Sequence, residues 1–418
     1  MTSSAAPSRR SLRALDALAF FAPDIQGGVG PFLIVFMAGT LAWDPQRIGT
    51  VMFVSALVGL AMQAPAGALI DSVRHKPRWI AGAIALIASC LVVMANWPGY
   101  GVILAGQSLI GAAGTLVAPA IAAISLGMVG RAGLDARIGR NVAITAAGTV
   151  LWALGTGWVG HAFGPHAMFF YAVAMALPTI AAALAIRHRD IDLRLARGAD
   201  AHAGSAPSTA RWHDHRLFVL LACAFLFHLA NAAMLTLVAQ KVGTQSGSSA
   251  TLWLSGGVIV TQLVTIPIGL AVGRWAPRLA RKPILLVGFA VLPVRGLLYL
   301  LADSPATLLA LQVLDGIGAA IFGAMFTLMI GDLTRGSGHF NFALGLGGTC
   351  VGLGAALSNL VAGTVAHLAG YGTAFVMLAG IAAGALTLFA LAMPETRHRP
   401  RSSPASAPAA SALTTTAP

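Results

Sequence analysis

The chain reads as an all-α membrane protein, with twelve transmembrane helices in two pseudo-symmetric six-helix bundles. Three observations carry that expectation. First, 57% of the 418 residues are hydrophobic and only 9% are charged, with a mean hydropathy of +0.81; so few charges cannot cover a water-facing surface, so lipid must solvate most of the chain. Second, the apolar residues gather into twelve stretches, most of ~18–25 residues, long enough to cross a ~30 Å hydrocarbon layer as helices. Third, the chain repeats itself. Pro65-Ala66-Gly67-Ala68-Leu69-Ile70-Asp71 followed by Lys76-Pro77 returns as Pro267-Ile268-Gly269-Leu270-Ala271-Val272-Gly273 followed by Lys282-Pro283. The offset is 202 at the prolines (267 minus 65) and 206 at the Lys-Pro pairs (283 minus 77), and Gln107/Gln312, Gly111/Gly316 and His161/His367 keep it closely. A repeat of this length in an apolar chain means two homologous membrane halves, an organisation typical of secondary transporters.

The stretches span 14–39, 48–70, 78–97, 101–128, 139–163, 167–187, 215–240, 250–273, 283–302, 306–331, 340–368 and 371–393. Strand-type alternation is missing, which excludes a β-barrel. The domain layout follows: an N-terminal tail at 1–13, a six-helix bundle at 14–187, a linker at 188–214, a second bundle at 215–393 and a tail at 394–418. The linker is polar, with Gly, Ser and Pro near 204–208, and reads as a flexible, solvated connection that lets the halves move. Its histidines, His188, His202, His213 and His215, lack metal spacing. The Pro/Ser/Thr/Ala-rich tail reads as disordered.

A net charge of +13 would suggest nucleic acid in a soluble protein, but here position decides otherwise. With a cytoplasmic N-terminus, 23 of the 26 Lys and Arg fall on the cytoplasmic side, Arg47 and Lys241 fall outside, and Arg295 lies within a span. That is the positive-inside rule, and it places both termini in the cytoplasm. The basicity is a topology signal, with attraction to anionic lipid as a by-product. The first apolar run is too long for a cleaved signal core and contains Asp24, so it reads as a retained helix. Cys90, Cys223 and Cys350 lie singly, without disulfide or metal spacing. Composition and compact loops suggest a bacterial inner membrane; a monomer with a small-molecule substrate and no nucleic-acid partner, cofactor or metal is expected.

Ionisable groups inside spans are costly in hydrocarbon and face the bundle interior or a water-filled cavity. Helix 1 is broken by Pro23, Gly27, Gly28, Gly30 and Pro31 around Asp24 and Gln26. Prolines and glycines free backbone carbonyls, which at membrane depth need a cavity rather than lipid. Asp24 lies ~15 Å into the span, near the midplane. It reads as a substrate or proton site, or alternatively as a helix–helix hydrogen-bonding group. The matching position of the second half (24 plus 204) is His228, with Asn231 one turn on. This pair can bind a polar substrate or pass a proton; a packing histidine is the alternative. Arg295 lies ~18 Å from the inner edge and Asp315 ~14 Å from the outer edge, so they share a depth. They read as an intramembrane ion pair, or as a site for an anionic group. Glycine crowds helix 11, where Gly348 and Gly352 have the small-xxx-small spacing that lets helices approach closely. There is no phosphate loop for ATP and no His-Glu-x-x-His; Glu395 is the single glutamate.

Gly67-Ala68-Leu69-Ile70-Asp71-Ser72-Val73-Arg74-His75-Lys76 resembles the signature loop between helices 2 and 3 of the major facilitator superfamily. With its degenerate copy from Gly269 to Lys282, the resemblance covers residues 14–393. It implies the major facilitator fold and a cytoplasmic gate formed by Gly67, Asp71, Arg74, Lys76, Gly269 and Lys282, with Asp71 as the acid that holds the gate shut. Arg74-His75 departs from the usual Gly-Arg, and Gly273 stands where the second acid would be, which implies asymmetric gating. Helix 4 has Gln107 where the family motif carries Arg before Gly111, and the Gly-Pro motif of antiporter helix 5 is missing. Segments such as Gly139-Arg140-Asn141 and His228 to Leu235 are similar to a bacterial branch of exporters.

The expected function is therefore not enzymatic. It is secondary active transport by alternating access, with proton-coupled efflux of a small organic metabolite or drug-like compound as the first reading. Proton-coupled uptake of a nutrient is the second, and a transport-dead membrane sensor or scaffold is the rival of a different class.

Overall fold

Two stretches of the chain are too long to cross a bilayer once. Tyr100–Gly160 (61 residues) and Phe340–Ala392 (53 residues) are continuous apolar helical runs, and at the helical rise they would reach ~80–90 Å, nearly three hydrocarbon layers. Each turns back at a glycine outside helical geometry: Gly130 at φ 65°, ψ −178° and Gly370 at φ 85°, ψ 162°. A side chain at those positive φ values would be strained, so the glycines are the corners.

The computed structural model describes residues 7–25, 33–34, 36–37, 40–43, 45–199, 215–246, 250–302 and 304–397. With the two corners taken as helix ends, the helices are α1 (Arg9–Ile25), α2 (Pro45–Ser72), α3 (Lys76–Asn96), α4 (Tyr100–Gly114, resuming at 117–129), α5 (131–163) and α6 (Ala167–Ala185). The second half holds α7 (His215–Ser246), α8 (Ala250–Trp275), α9 (Arg281–Leu298), α10 (Pro305–Ala310, resuming at Gln312–Leu333), α11 (340–369) and α12 (371–392). Among the described residues these twelve helices, six in each half, match the expected fold, and no strand occurs.

Each half has its own apolar core. One runs from Leu15 and Leu18 through Ile84, Ile110 and Phe169. The other is built on Phe227, Phe289, Phe322, Phe375 and Phe389, and it also takes in Ala122, Leu126, Leu134 and Ile138 from α4 and α5. The halves meet along two seams, α2 on α11 and α5 on α8. Both are gathered toward the end of the bundle holding the α2–α3, α4–α5, α8–α9 and α10–α11 connections, called here the basic end.

Three segments are more structured than composition suggests. α1 begins at Arg9, within the expected tail, because Ser8 and Ser11 donate hydrogen bonds to Asp190 at 2.5 and 2.6 Å. Residues 188–199 of the expected flexible linker form two 3-10 turns, His188–Asp190 and Leu195–Arg197. Ile191 and Ala196 are buried, and Asp192 N donates to Gly127 O at 2.8 Å; these apolar side chains sit among polar ones that dominated the composition. Residues 394–397, expected in the disordered tail, fold back on α9, where Glu395 accepts from the backbone N–H of Arg281 and Lys282 at 2.9 and 3.0 Å.

Candidate functional site

The first seam is closed by a carboxylate at a helix N-terminus. The opening N–H groups of α11 have no intrahelical partners and carry the positive end of its dipole. Asp71, near the end of α2, accepts from Asn341 N and Phe342 N at 3.3 and 2.9 Å and from Asn341 Nδ2 at 2.7 Å. Gly67, one turn earlier, lets α2 lie against the α11 backbone: a Cβ there would overlap the carbonyl of Asn341. Gly345 and Gly348 sit in the same way on Gln63 of α2, and Gly352 on Leu60. The small-residue face of α11 is thus part of the contact between halves.

The other expected gate residues of this loop divide. Lys76 is buried and donates to the carbonyls of Ile70 and Val73 at 2.5 and 3.0 Å, so it caps the C-terminus of α2. Arg74 is exposed, and its carbonyl lies 3.0 Å from His188 Nε2. The His75 ring lies tilted at 41° to that of His188, with centroids 4.6 Å apart. Desolvation and then the nearby His188, Arg78 and Arg74 push the His75 imidazole below its ordinary value.

The second seam uses different chemistry at the pseudo-symmetric place. Gly139 of α5 meets Gly269 and Gly273 of α8 backbone to backbone. No acid stands at 273. Instead Arg281, the first residue of α9, reaches across to Asp135 of α5 at 2.7 Å and bonds Asp332 of α10 at 3.0 Å. Arg131 adds two links, to Gly331 O of α10 at 3.0 Å and to Gly198 O of the linker at 2.9 Å. Lys282 stays within its own half, donating to Ala390 O at 2.6 Å. The neighbour of the expected gate residue, rather than Lys282 itself, crosses the seam.

Above this closure lies a cavity of about 760 Å³ between the halves. Pro23, Ser55, Gln63, Gln107, Thr115 and Thr327 are in its wall, with Gln63 at its floor, where Gly345 and Gly348 close on it. The remaining lining is apolar or glycine, and no ionised side chain is among the described lining residues. Gln107 is buried with its Oε1 unpartnered. Of the helix 1 candidates, Gln26 and the side chain of Asp24 lie outside the described residues, while Pro23, the residue before Asp24, lines the cavity.

The second-half candidates assemble into one cluster. Arg295, 2% exposed, is ion-paired with Asp315 and donates to Asn231 Oδ1 at 2.5 Å, while Thr261 donates to Asp315 at 3.2 Å. The His228 ring meets Phe322 edge-on at 5.0 Å, and Phe227 stacks on Phe322 at 4.5 Å. Beside Asn231, Arg295 and Asp315 is a void of about 10 Å³, room for one water at most. His228 Nε2, Arg295 Nε and Gln312 Oε1 have no partner, and each such atom costs about 1–3 kcal/mol. None of the four second-half candidates lines the large cavity.

Asp135, Arg281 and Asp332 were not singled out from the sequence. The readable signal was acids and a base at the ends of spans, and Gly127/Gly331 and Arg131/Arg335 keep the offset of 204 (331 minus 127; 335 minus 131). A second missed network lies inside the first half. Asp16 of α1 pairs with Arg137 and Arg140 of α5, each at 2.7 Å, and Arg137 bonds Asn141, which bonds Ser125.

Comparison with known proteins agrees with this fold. A family model described as Major Facilitator Superfamily matches residues 15–292 and 220–417. The chain is 41% identical over 393 residues, 93% of its length and 94% of theirs, to two sequences named uncharacterized MFS-type transporter from Mycobacterium tuberculosis, strains CDC 1551 and H37Rv. A crystal structure of the transporter FucP in the outward conformation superposes with a TM-score of 0.71 at 14% identity, covering 90% of this chain and 97% of that one. The human organic anion transporter MFSD10 superposes at 0.65 with 17% identity, covering 91% and 99%.

Proposed function

The chain belongs to the major facilitator superfamily and is a multi-pass membrane secondary transporter; from that premise we propose that it exports a small organic metabolite or drug-like compound in exchange for protons. The observation that carries the reading is the cavity of about 760 Å³ between the halves, shut at one end by Asp71 on the α11 N-terminus and by Arg281 on Asp135. Its wall, amide and hydroxyl groups on an apolar and glycine background, suits a compact, uncharged, largely apolar solute. The connections at the closed end belong to the side to which the positive-inside count assigns 23 of the 26 Lys and Arg. That end is read as cytoplasmic, with both termini there, in a bacterial inner membrane, and the state as outward-facing. The halves at 14–187 and 215–393 would rock about the two seams, working as a monomer.

Coupling is assigned to Asp24, next to cavity-lining Pro23, with Gln26 beside it. The cluster of His228, Asn231, Arg295 and Asp315 is assigned to the second half of the pathway. Its two unpartnered polar atoms, His228 Nε2 and Arg295 Nε, favour an arrangement completed in another state of the cycle. The test is a proteoliposome flux screen with ΔpH imposed in either sense. Asp24→Asn keeps shape and hydrogen-bonding capacity but cannot cycle a proton, so it should abolish ΔpH-driven accumulation while sparing substrate exchange. Full ΔpH-driven transport by this variant would refute the assignment, and loss of exchange as well would make Asp24 a substrate ligand.

A further inference from the structure

A cleft of about 470 Å³ opens on the outer face of the first half, between α2, α3 and α4. It lies behind the seam where Gly111 of α4 packs on the Ser55 carbonyl of α2, on the opposite side from the central cavity. Met62, Trp79, Leu86 and Leu109 line it while remaining 40–49% exposed, so in a membrane-spanning chain they face hydrocarbon. Its back wall is Gly82, where an added Cβ would meet no atom within 4 Å. No described side chain fills that space.

Arg78 is the only ionised residue in the lining, and it sits in the first turn of α3, at the basic end of the bundle. It is exposed, and no acidic partner holds it among the described residues. The nearby cation Lys76 is occupied by the Ile70 and Val73 carbonyls. An apolar cleft between membrane-spanning helices, with one free guanidinium and one tryptophan in the first turn of α3, has the polarity of an amphiphile with an anionic head. We propose that this cleft is a binding site for an anionic phospholipid: an acyl chain lies over Gly82, and the phosphate meets Arg78 beside Trp79. The site is independent of the transport direction and of the proton assignment.

One exposed arginine at an anionic membrane surface favours the charged headgroup by about fivefold. The purified protein is reconstituted in bilayers of phosphatidylcholine containing either dibrominated phosphatidylglycerol or dibrominated phosphatidylcholine. The fluorescence difference between wild type and Trp79→Phe isolates the Trp79 signal from the other tryptophans. The expected result is quenching by the glycerol lipid at about fivefold lower mole fraction than by the choline lipid. Arg78→Gln should equalise the two lipids. Gly82→Phe, which fills open space and leaves Arg78 in place, should remove the preference as well. Equal quenching in the wild type would mean annular lipid only and overturn the site. A preference that survives Gly82→Phe would mean surface charge without a cleft, and would overturn it too.

Discussion

At the scale of single residues, the second half carries its polar interior on the Arg295–Asp315 pair. The pair is legible in the sequence because hydrocarbon penalises lone charges so heavily that two opposite ones at one depth imply each other. Its surroundings are not legible: Asn231 and Thr261 as partners depend on helix rotation, which an all-apolar run does not encode. Arg295→Ala or Asp315→Ala alone leaves a buried charge uncompensated, which costs about 3–5 kcal/mol, so folded yield should drop for each. The double variant removes both charges and should recover folding better than either single one. Expression and thermal unfolding of the four proteins decide it; single variants that fold and transport normally would show that the pair carries little of the stability.

At the scale of elements, most of the helices follow from length and hydropathy, since a bilayer admits few other solutions for apolar runs of ~20 residues. What hydropathy misses is how their ends are held. The N-cap of α9 is Ala280, which has no capping side chain, so Glu395 supplies the cap from beyond α12 through the N–H groups of Arg281 and Lys282. Partial desolvation raises the Glu395 carboxyl, but the N–H donors of Arg397, Lys282, Arg281 and Thr396 outweigh it, leaving it below its ordinary 4.5. A depressed folded value contributes stability above pH 4.5, and that contribution is lost as pH falls through the folded value. Glu395→Gln should therefore cost about 1 kcal/mol at neutral pH, the usual worth of a helix cap, and the gap to wild type should close in acid. Melting curves of both proteins from pH 7 down to about pH 3 check the sign. The Glu395 cap, like the folded start of the linker, joins residues more than 100 positions apart (395 minus 281). No local pattern could have announced it.

At the scale of the whole molecule, the repeat predicts two homologous halves, and in the structure these meet at glycine contacts, Gly67 on α11 and Gly139 on Gly273. The missing acid at Gly273 was legible, as was the asymmetry it implies. The substitute, Arg281 to Asp135, was hidden because its acid stands on α5 and its base opens α9, so neither occupies the repeat position of Asp71 on α8. The two latches, Asp71 and Arg281, sit on separate seams and share no bonding partner, so their contributions to closure should add. Each makes charge-assisted bonds of the kind worth about 1.5–3 kcal/mol. Asp71→Asn keeps part of its bonding, and Arg281→Gln removes the charge that crosses to Asp135. Each should raise the population open at the basic end by roughly tenfold, about 1.4 kcal/mol. The readout is a cysteine at Thr327, in the cavity wall, labelled by an impermeant maleimide added from the basic side, with half-buried Cys350 replaced by serine. Labelling should speed up in each single variant and multiply in the double. Two singles that label at the wild-type rate would mean that apolar packing along the glycine seams, not these charges, holds the basic end shut.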